Sequence, residues 1–170
     1  MNTLCARGRI SLYGTGDTVG QGSGGALATH EITALKAAFG NVLVLDGNVR
    51  PHQYQGVDIP FLDDYFLLDR VMQVGAIEHA HFYSGTFTAT VRWLKAQGAR
   101  VSYTIPAHDR KTTVEEFERL GLQYPFPHIS NDDLWAIFSQ GYREADLVIA
   151  QSELSARFLR EEGCQNVKVI

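Results

Sequence analysis

Short apolar runs alternate along this chain with stretches of helical periodicity, the pattern of successive β-α-β units around a parallel sheet. The runs that read as strands are Arg9–Tyr13, Val42–Asp46, Ala76–His79, Val101–Ile105, Leu147–Ala150 and Val167–Ile170. Several are continuous rather than alternating, as strands covered on both faces require. Between them, helices are predicted over Ala26–Phe39, Phe61–Val74, Thr86–Gln97, Thr112–Leu120, Leu134–Arg143 and Ser152–Glu162. Gly40, Gly75, Gly98, Gly121 and Gly163 follow five of these patterns, where a left-handed residue closes a helix. Thr112 and Glu115 form a potential capping box, and Ser130-Asn-Asp-Asp133 supplies a cap and two acids at a helix start. Ser152 reads as the N-cap of the last helix. The fold class is therefore α/β: a Rossmann-like, doubly wound parallel sheet of about six strands in three layers, α/β/α.

One segment departs from this rhythm. Six of the twelve residues from Gly14 to Gly25 are glycine, immediately after the first strand and before the first helix. That turn is where α/β proteins bind anions and sugars, because glycine admits unusual backbone angles and close approach. Gly14, Gly16 and Gly20, with Asp46 closing the second strand, approximate a dinucleotide fingerprint and keep an NAD(P)-dependent oxidoreductase open as an alternative. Against it stand the late third glycine and a helix that the periodicity starts only near Ala26. A non-catalytic α/β interaction module is the other alternative.

Composition narrows the field. Of 170 residues, 45% are hydrophobic and 20% charged, the balance of an ordinary globular domain. A formal net charge of −4 with interspersed signs offers no basic stripe, so nucleic acid is not an expected partner. No apolar run resembles a signal peptide or a membrane span. Cys5 and Cys164 stand alone at opposite ends and read as free thiols of a cytoplasmic protein, free or peripheral to the inner face of the membrane.

Chemistry-bearing residues collect where strands end. Glu78-His79-Ala-His81 places two histidines at i and i+2, with no third ligand in matching position, so packing and edge hydrogen bonding is preferred to metal binding. Pro106 ends the fourth strand and delivers His108, Asp109, Arg110 and Lys111 to the ligand-binding edge. A histidine beside an acid and two cations suits a phosphate or a sugar hydroxyl, or is simply a solvated loop. No nucleophile elbow accompanies it, which leaves covalent hydrolase chemistry unsupported.

Taken in order, Gly24-Gly25 with His30, Glu78-His-Ala-His81, Thr104-x-x-x-His108-Asp109, Ala145-Asp-Leu-Val-Ile-Ala-Gln-Ser152, and Gly163 before Val167-Lys-Val-Ile170 cover nearly the whole chain. This set resembles the N-terminal domain of retaining glycosyltransferases of the GT-B fold, the nucleotide-sugar-dependent family 4 group. The resemblance implies an acceptor-side domain over residues 1–170, with the donor-binding C-terminal domain and its E-x7-E glutamates lying outside it. It implies catalytic roles for His108 and Asp109 and substrate contacts from Gly24, Gly25, Tyr83, Ser84, Gly85 and Arg110. It also implies a nucleotide-sugar donor, a glycan, lipid or small-molecule acceptor, and no essential metal or other cofactor. An isolated domain of this kind is expected to be inactive and to self-associate through apolar surface that a second domain covers.

Overall fold

The structure, a computed structural model, describes residues 10–54, 61–106, 110–125 and 130–170. Six strands form one all-parallel sheet: β1 (Ile10–Thr15), β2 (Val42–Leu45), β3 (Ile77–Tyr83), β4 (Arg100–Ile105), β5 (Leu147–Ala150) and β6 (Val167–Val169), in the order β2-β1-β3-β4-β5-β6. The described helices are α1 (Gly22–Phe39), α2 (Leu62–Val74), α3 (Thr88–Ala96), α4 (Arg110–Arg119), α5 (Asp132–Phe138), α6 (Gln140–Arg143) and α7 (Glu153–Glu161). Short 3₁₀ turns at Gly47–Val49 and His52–Tyr54 follow β2. This is the three-layer, Rossmann-like α/β arrangement that the alternating pattern predicts.

Two cores of unequal size lie on the two sheet faces. On one face, Leu12, Ala80, Phe82, Val101, Tyr103, Val148 and Ala150 meet Leu67 and Val71 of α2, Val91 and Leu94 of α3, Tyr142 of α6, and Ala156 and Leu159 of α7. On the other, Tyr13 and Tyr83 meet Ala28 and Ile32 of α1. The helices that follow β1 and β2 thus pack on opposite faces. The chain reverses direction across the sheet between β1 and β3, which opens a crevice at the carboxyl ends of those two strands.

The five glycines that follow helical patterns, Gly40, Gly75, Gly98, Gly121 and Gly163, all have positive φ, from 69° to 97°. Asn131 caps α5 through Leu134 N–H at 3.0 Å, and Ser152 caps α7 through Ser155 N–H at 3.1 Å. Other boundaries move. β3 runs on to Tyr83 instead of ending at His79, because His81 finds polar partners inside the fold and the strand continues past it. Helix α1 starts at Gly22 rather than near Ala26; its four-residue glycine-rich first turn is the surface on which the preceding loop lies. Helix α4 starts at Arg110, so Thr112 and Glu115 lie inside it and form no capping box. The helix expected over Leu134–Arg143 is two, meeting at the buried Ser139.

Candidate functional site

The crevice is built from four chain segments. In register, Gly14 of β1 faces Leu45 of β2 and Phe82 of β3, and Thr15 faces Tyr83, which in turn faces Thr104 of β4. The loops after β1, β2 and β3 therefore emerge side by side. The Asp46 carboxylate stitches the first two together, accepting from Val19 N–H and Asn48 N–H, each at 3.1 Å, and from Asn48 Nδ2 at 3.2 Å. Gly47 N–H adds a bond to the Asp17 carbonyl at 3.0 Å. Asp46, the acid that a dinucleotide site needs free for a ribose hydroxyl, is thus committed to holding the loop. That weighs against the oxidoreductase alternative.

The glycines serve close approach. A side chain on Gly25 would overlap the Thr18 carbonyl oxygen, and one on Gly24 would stand 2.5 Å from Asp17 Oδ2 and 3.4 Å from the Tyr83 ring. Gly24 is a seam with the Asp17 carboxylate on one side and the Tyr83 phenol on the other. A negative charge belonging to the protein itself therefore stands beside the start of α1, where the helix dipole favours it. Gly16 is in the same contact with Asp63, whose carboxylate is gripped by the Arg50 guanidinium through Nε and, at 2.8 Å, through Nη2.

Burial pushes the Asp17 carboxyl above its ordinary range, and the nearby Asp63 charge adds to the effect. The Tyr83 hydroxyl is also held up, by burial first and then by the charges of Asp17 and Glu31. Next to it, Ser84 takes a left-handed conformation (φ 53°), unusual for a residue with a side chain, and its N–H bonds to the Thr104 carbonyl at 3.0 Å. Gly85 (φ 77°) lies against the Phe87 ring. A carboxylate, a phenol and a seryl side chain on a strained turn suit a ligand rich in hydroxyl groups, which can both donate and accept.

Of the residues expected at the site, the structure brings Gly24, Gly25, Tyr83, Ser84 and Gly85 to one crevice. Arg110 pairs with Asp132 and stacks over the Trp135 ring at 5.6 Å, joining α4 to α5. His108 and Asp109 lie outside the described residues. Asp17, Asp63 and Arg50 escaped the sequence reading. Asp17 was visible within the glycine segment, but nothing in a linear pattern places residue 63 beside residue 16.

Beneath the crevice runs a buried polar chain. Tyr13 Oη donates to Glu31 Oε2 at 2.8 Å, Glu31 approaches His81 Nε2 at 3.5 Å, and the two ring nitrogens of His81 meet Thr104 Oγ1 at 3.2 Å and Ser102 Oγ at 2.8 Å. Burial by itself would raise the Glu31 carboxyl; the hydrogen bonds of His81 and Thr104, the His81 charge and the Tyr13 hydroxyl outweigh it and hold it below the ordinary value of 4.5. His79, two residues back on the same face, lies against the Phe39 ring at 4.7 Å. Among the described residues no cluster of three metal-ligating side chains occurs.

Because the folded-state Glu31 carboxyl is lowered, its stabilising contribution is present above the unfolded-state value and is lost as pH falls through the folded one. Urea unfolding of Glu31→Gln should show a deficit of about 1–2 kcal/mol at neutral pH. That deficit should shrink steadily as the pH is lowered from about 4.5 toward 3. A deficit that stays constant with pH would show that the ionised form of Glu31 has no special partners.

A scan against models of known protein families finds no match to this chain, and no curated protein matches it either. Fold and site alone define its class: an all-parallel, doubly wound α/β domain with a crevice at the switch point between β1 and β3. No helix among the described residues is long and apolar enough to cross a membrane.

Proposed function

We propose that this chain is the acceptor-side domain of a retaining, nucleotide-sugar-dependent glycosyltransferase of the GT-B class. The observation that carries the reading is the seam at Gly24, where a carboxylate and a phenol converge on the switch-point crevice beside the Ser84–Gly85 turn. Switch-point crevices are where open α/β sheets bind ligands. This one is furnished for hydroxyl groups rather than for a phosphate, since Asp17 and Asp63 already bring negative charge to the glycine turn and only Asp63 is paired with Arg50.

In this reading the acceptor sugar or polyol lies across Gly24, one hydroxyl donating to the Asp17 carboxylate and another meeting the Tyr83 phenol. His108 and Asp109, which follow β4 in the sequence, take the catalytic roles that the resemblance implies. The departing nucleotide diphosphate is stabilised by hydrogen bonds and charge supplied mainly by a second, donor-binding domain. The domain by itself positions the acceptor and performs no transfer.

Titrating the ¹⁵N-labelled chain with a panel of simple glycosides tests this directly. Saturable shifts are expected at the amides of Gly24, Tyr83, Ser84 and Gly85, weakened about tenfold or more by Asp17→Ala. Donor hydrolysis or sugar transfer by the 170-residue chain alone would overturn the assignment. So would micromolar NADH binding abolished by Asp46→Ala.

A further inference from the structure

A second cleft lies on the α1 face of the sheet, with β3 and β4 as its floor. Helix α1 packs its buried residues on this face and covers β1 and β2. Spaced four apart, Glu31, Leu35 and Phe39 fall on one side of α1, so the helix brings a carboxylate and an apolar wall to the same edge. Leu35 and Phe39 wall the cleft there, and Leu147 of β5 walls the opposite side. Phe39 stacks on His79 of β3 at 4.7 Å, so two strand spacings, about 10 Å, separate it from Leu147. The space between measures about 290 Å³.

The floor is polar. In register, His79 and His81 of β3 stand opposite Arg100 and Ser102 of β4. Ser102 Oγ lies 2.8 Å from His81 Nδ1, while the other ring nitrogen, Nε2, meets Thr104 Oγ1 at 3.2 Å and Glu31 Oε2 at 3.5 Å. A carboxylate only accepts, so the Thr104 hydroxyl gives its proton to Glu31 and its oxygen accepts from His81 Nε2–H. That puts the single proton of the neutral imidazole on Nε2 and leaves Nδ1 bare. Ser102 therefore donates to His81, since its alternative acceptor, the Ala80 carbonyl, is farther away at 3.4 Å. A hydroxyl, an imidazole and a carboxylate in that order are the parts of an activated nucleophile. His81 is only 6% exposed, whereas Ser102 is half-buried and lines the cleft, so the serine is the member a substrate reaches.

We propose that Ser102 is a nucleophile and that this cleft hydrolyses a short-chain carboxylic ester. Ser102 Oγ adds to the ester carbonyl carbon as its proton passes to His81 Nδ1; the ester C–O bond then breaks, and the leaving alcohol takes that proton from the imidazolium. Water adds to the acyl-serine and gives a proton to His81, which returns it to Ser102 as the carboxylic acid departs. Glu31 and Thr104 hold the ring in the tautomer this requires. Arg100, two residues before Ser102 on the same face and about 7 Å along the strand, brings positive charge to the developing oxyanion; among the described residues it has no ion-pair partner within 4 Å. The acyl group lies between Phe39 and Leu147, and the volume, at the lower end for small-molecule sites, limits it to a short chain or a single ring. The three groups come from β4, β3 and α1, so no linear motif announces them. None of Ser102, His81, Glu31 and Arg100 is assigned to the crevice, and the inference does not rest on the function proposed there.

p-Nitrophenyl acetate and a fluorophosphonate, each applied to the whole chain, test this. The parent should release a stoichiometric burst of p-nitrophenolate, and peptide mass spectrometry should place the acetyl or phosphonyl adduct on Ser102. Chain unfolded in urea should carry no adduct there. Ser102→Ala should lose the burst, and Glu31→Gln should slow it about tenfold or more without changing the ester concentration that half-saturates it. An unmodified Ser102 in the folded parent, adducts confined to other residues, or a Ser102→Ala burst equal to the parent's would each overturn the assignment. The first two are read on the parent and need no variant to fold.

Discussion

Asp64→Ala should cost this fold about 3 kcal/mol, because it strips three hydrogen bonds from a charged group and leaves the N–H of the fully buried Thr90 with no acceptor. Asp64 belongs to the first turn of α2 but serves α3. Its carboxylate accepts from Ala89 N–H at 2.7 Å, Thr90 N–H at 2.9 Å and Thr90 Oγ1 at 2.7 Å. Helix α3 has no side-chain cap of its own, since Phe87 precedes it. The acid of one helix therefore caps the next, at a site where Asp64 is 7% exposed and Thr90 fully buried.

Against a total stability of about 5–15 kcal/mol, that loss should lower the melting temperature by about 6–12 °C for a chain of this size. Asp64→Asn keeps an acceptor oxygen and should lose about a third as much. Calorimetry of the two variants beside the parent decides it: a loss below about 1 kcal/mol for the alanine variant would mean that water replaces the carboxylate.

Gly25→Ala should destabilise the domain by about 2 kcal/mol, although helix propensity alone predicts a gain of about 1 kcal/mol. The added methyl would overlap the Thr18 carbonyl oxygen and stand 3.1 Å from Gly20 N. Both obstacles are backbone, so no rotamer change relieves them. The loop is tied to that helical turn by Gly20 N–H to the Gly25 carbonyl at 3.0 Å and by Gln21 N–H to the Thr18 carbonyl at 3.1 Å, and it must lift off.

Gly24→Ala is the informative contrast. Its obstacle is the end of the Asp17 side chain, which can swing aside, so the stability cost should be smaller while glycoside binding at the crevice is lost. Urea unfolding and the glycoside titration, run on both variants, separate the effects. Equal stability losses for the two would contradict the distinction between backbone and side-chain obstacles.

Much of the fold was legible because it is local. A strand or a helix announces itself by the period of its apolar positions, and a helix end by a glycine that alone tolerates positive φ cheaply. Gly40, Gly75, Gly98, Gly121 and Gly163 each do this. Misread ends had local causes overridden by distant ones. β3 seemed to stop at His79 because histidine looks like an edge residue, yet His81 is satisfied by Glu31, Ser102 and Thr104 from two other elements. Helix α1 seemed to start late because four-residue runs rich in glycine are poor helix formers, yet here the missing side chains are what let the Thr18 loop pack on it.

The candidate site divides the same way. Gly24, Gly25 and the Tyr83–Gly85 turn were visible because strand-to-helix loops at the carboxyl edge of a parallel sheet are where such folds bind ligands. Asp63 beside Gly16, Arg50 gripping Asp63, and Asp46 tied up with Val19 were not, since each joins residues 13 or more positions apart through the packing of separate elements.

By itself the sequence determined the α/β class, the six strands, the glycine-closed carboxyl ends of five helices and the glycine turn, all consequences of backbone preference and hydrophobic period within a dozen residues. The tertiary structure alone decided the strand order, the face on which α1 lies, the use of Asp64 as another helix's cap, and the furnishing of both clefts. Those depend on which distant segments share a surface, and no local period encodes that.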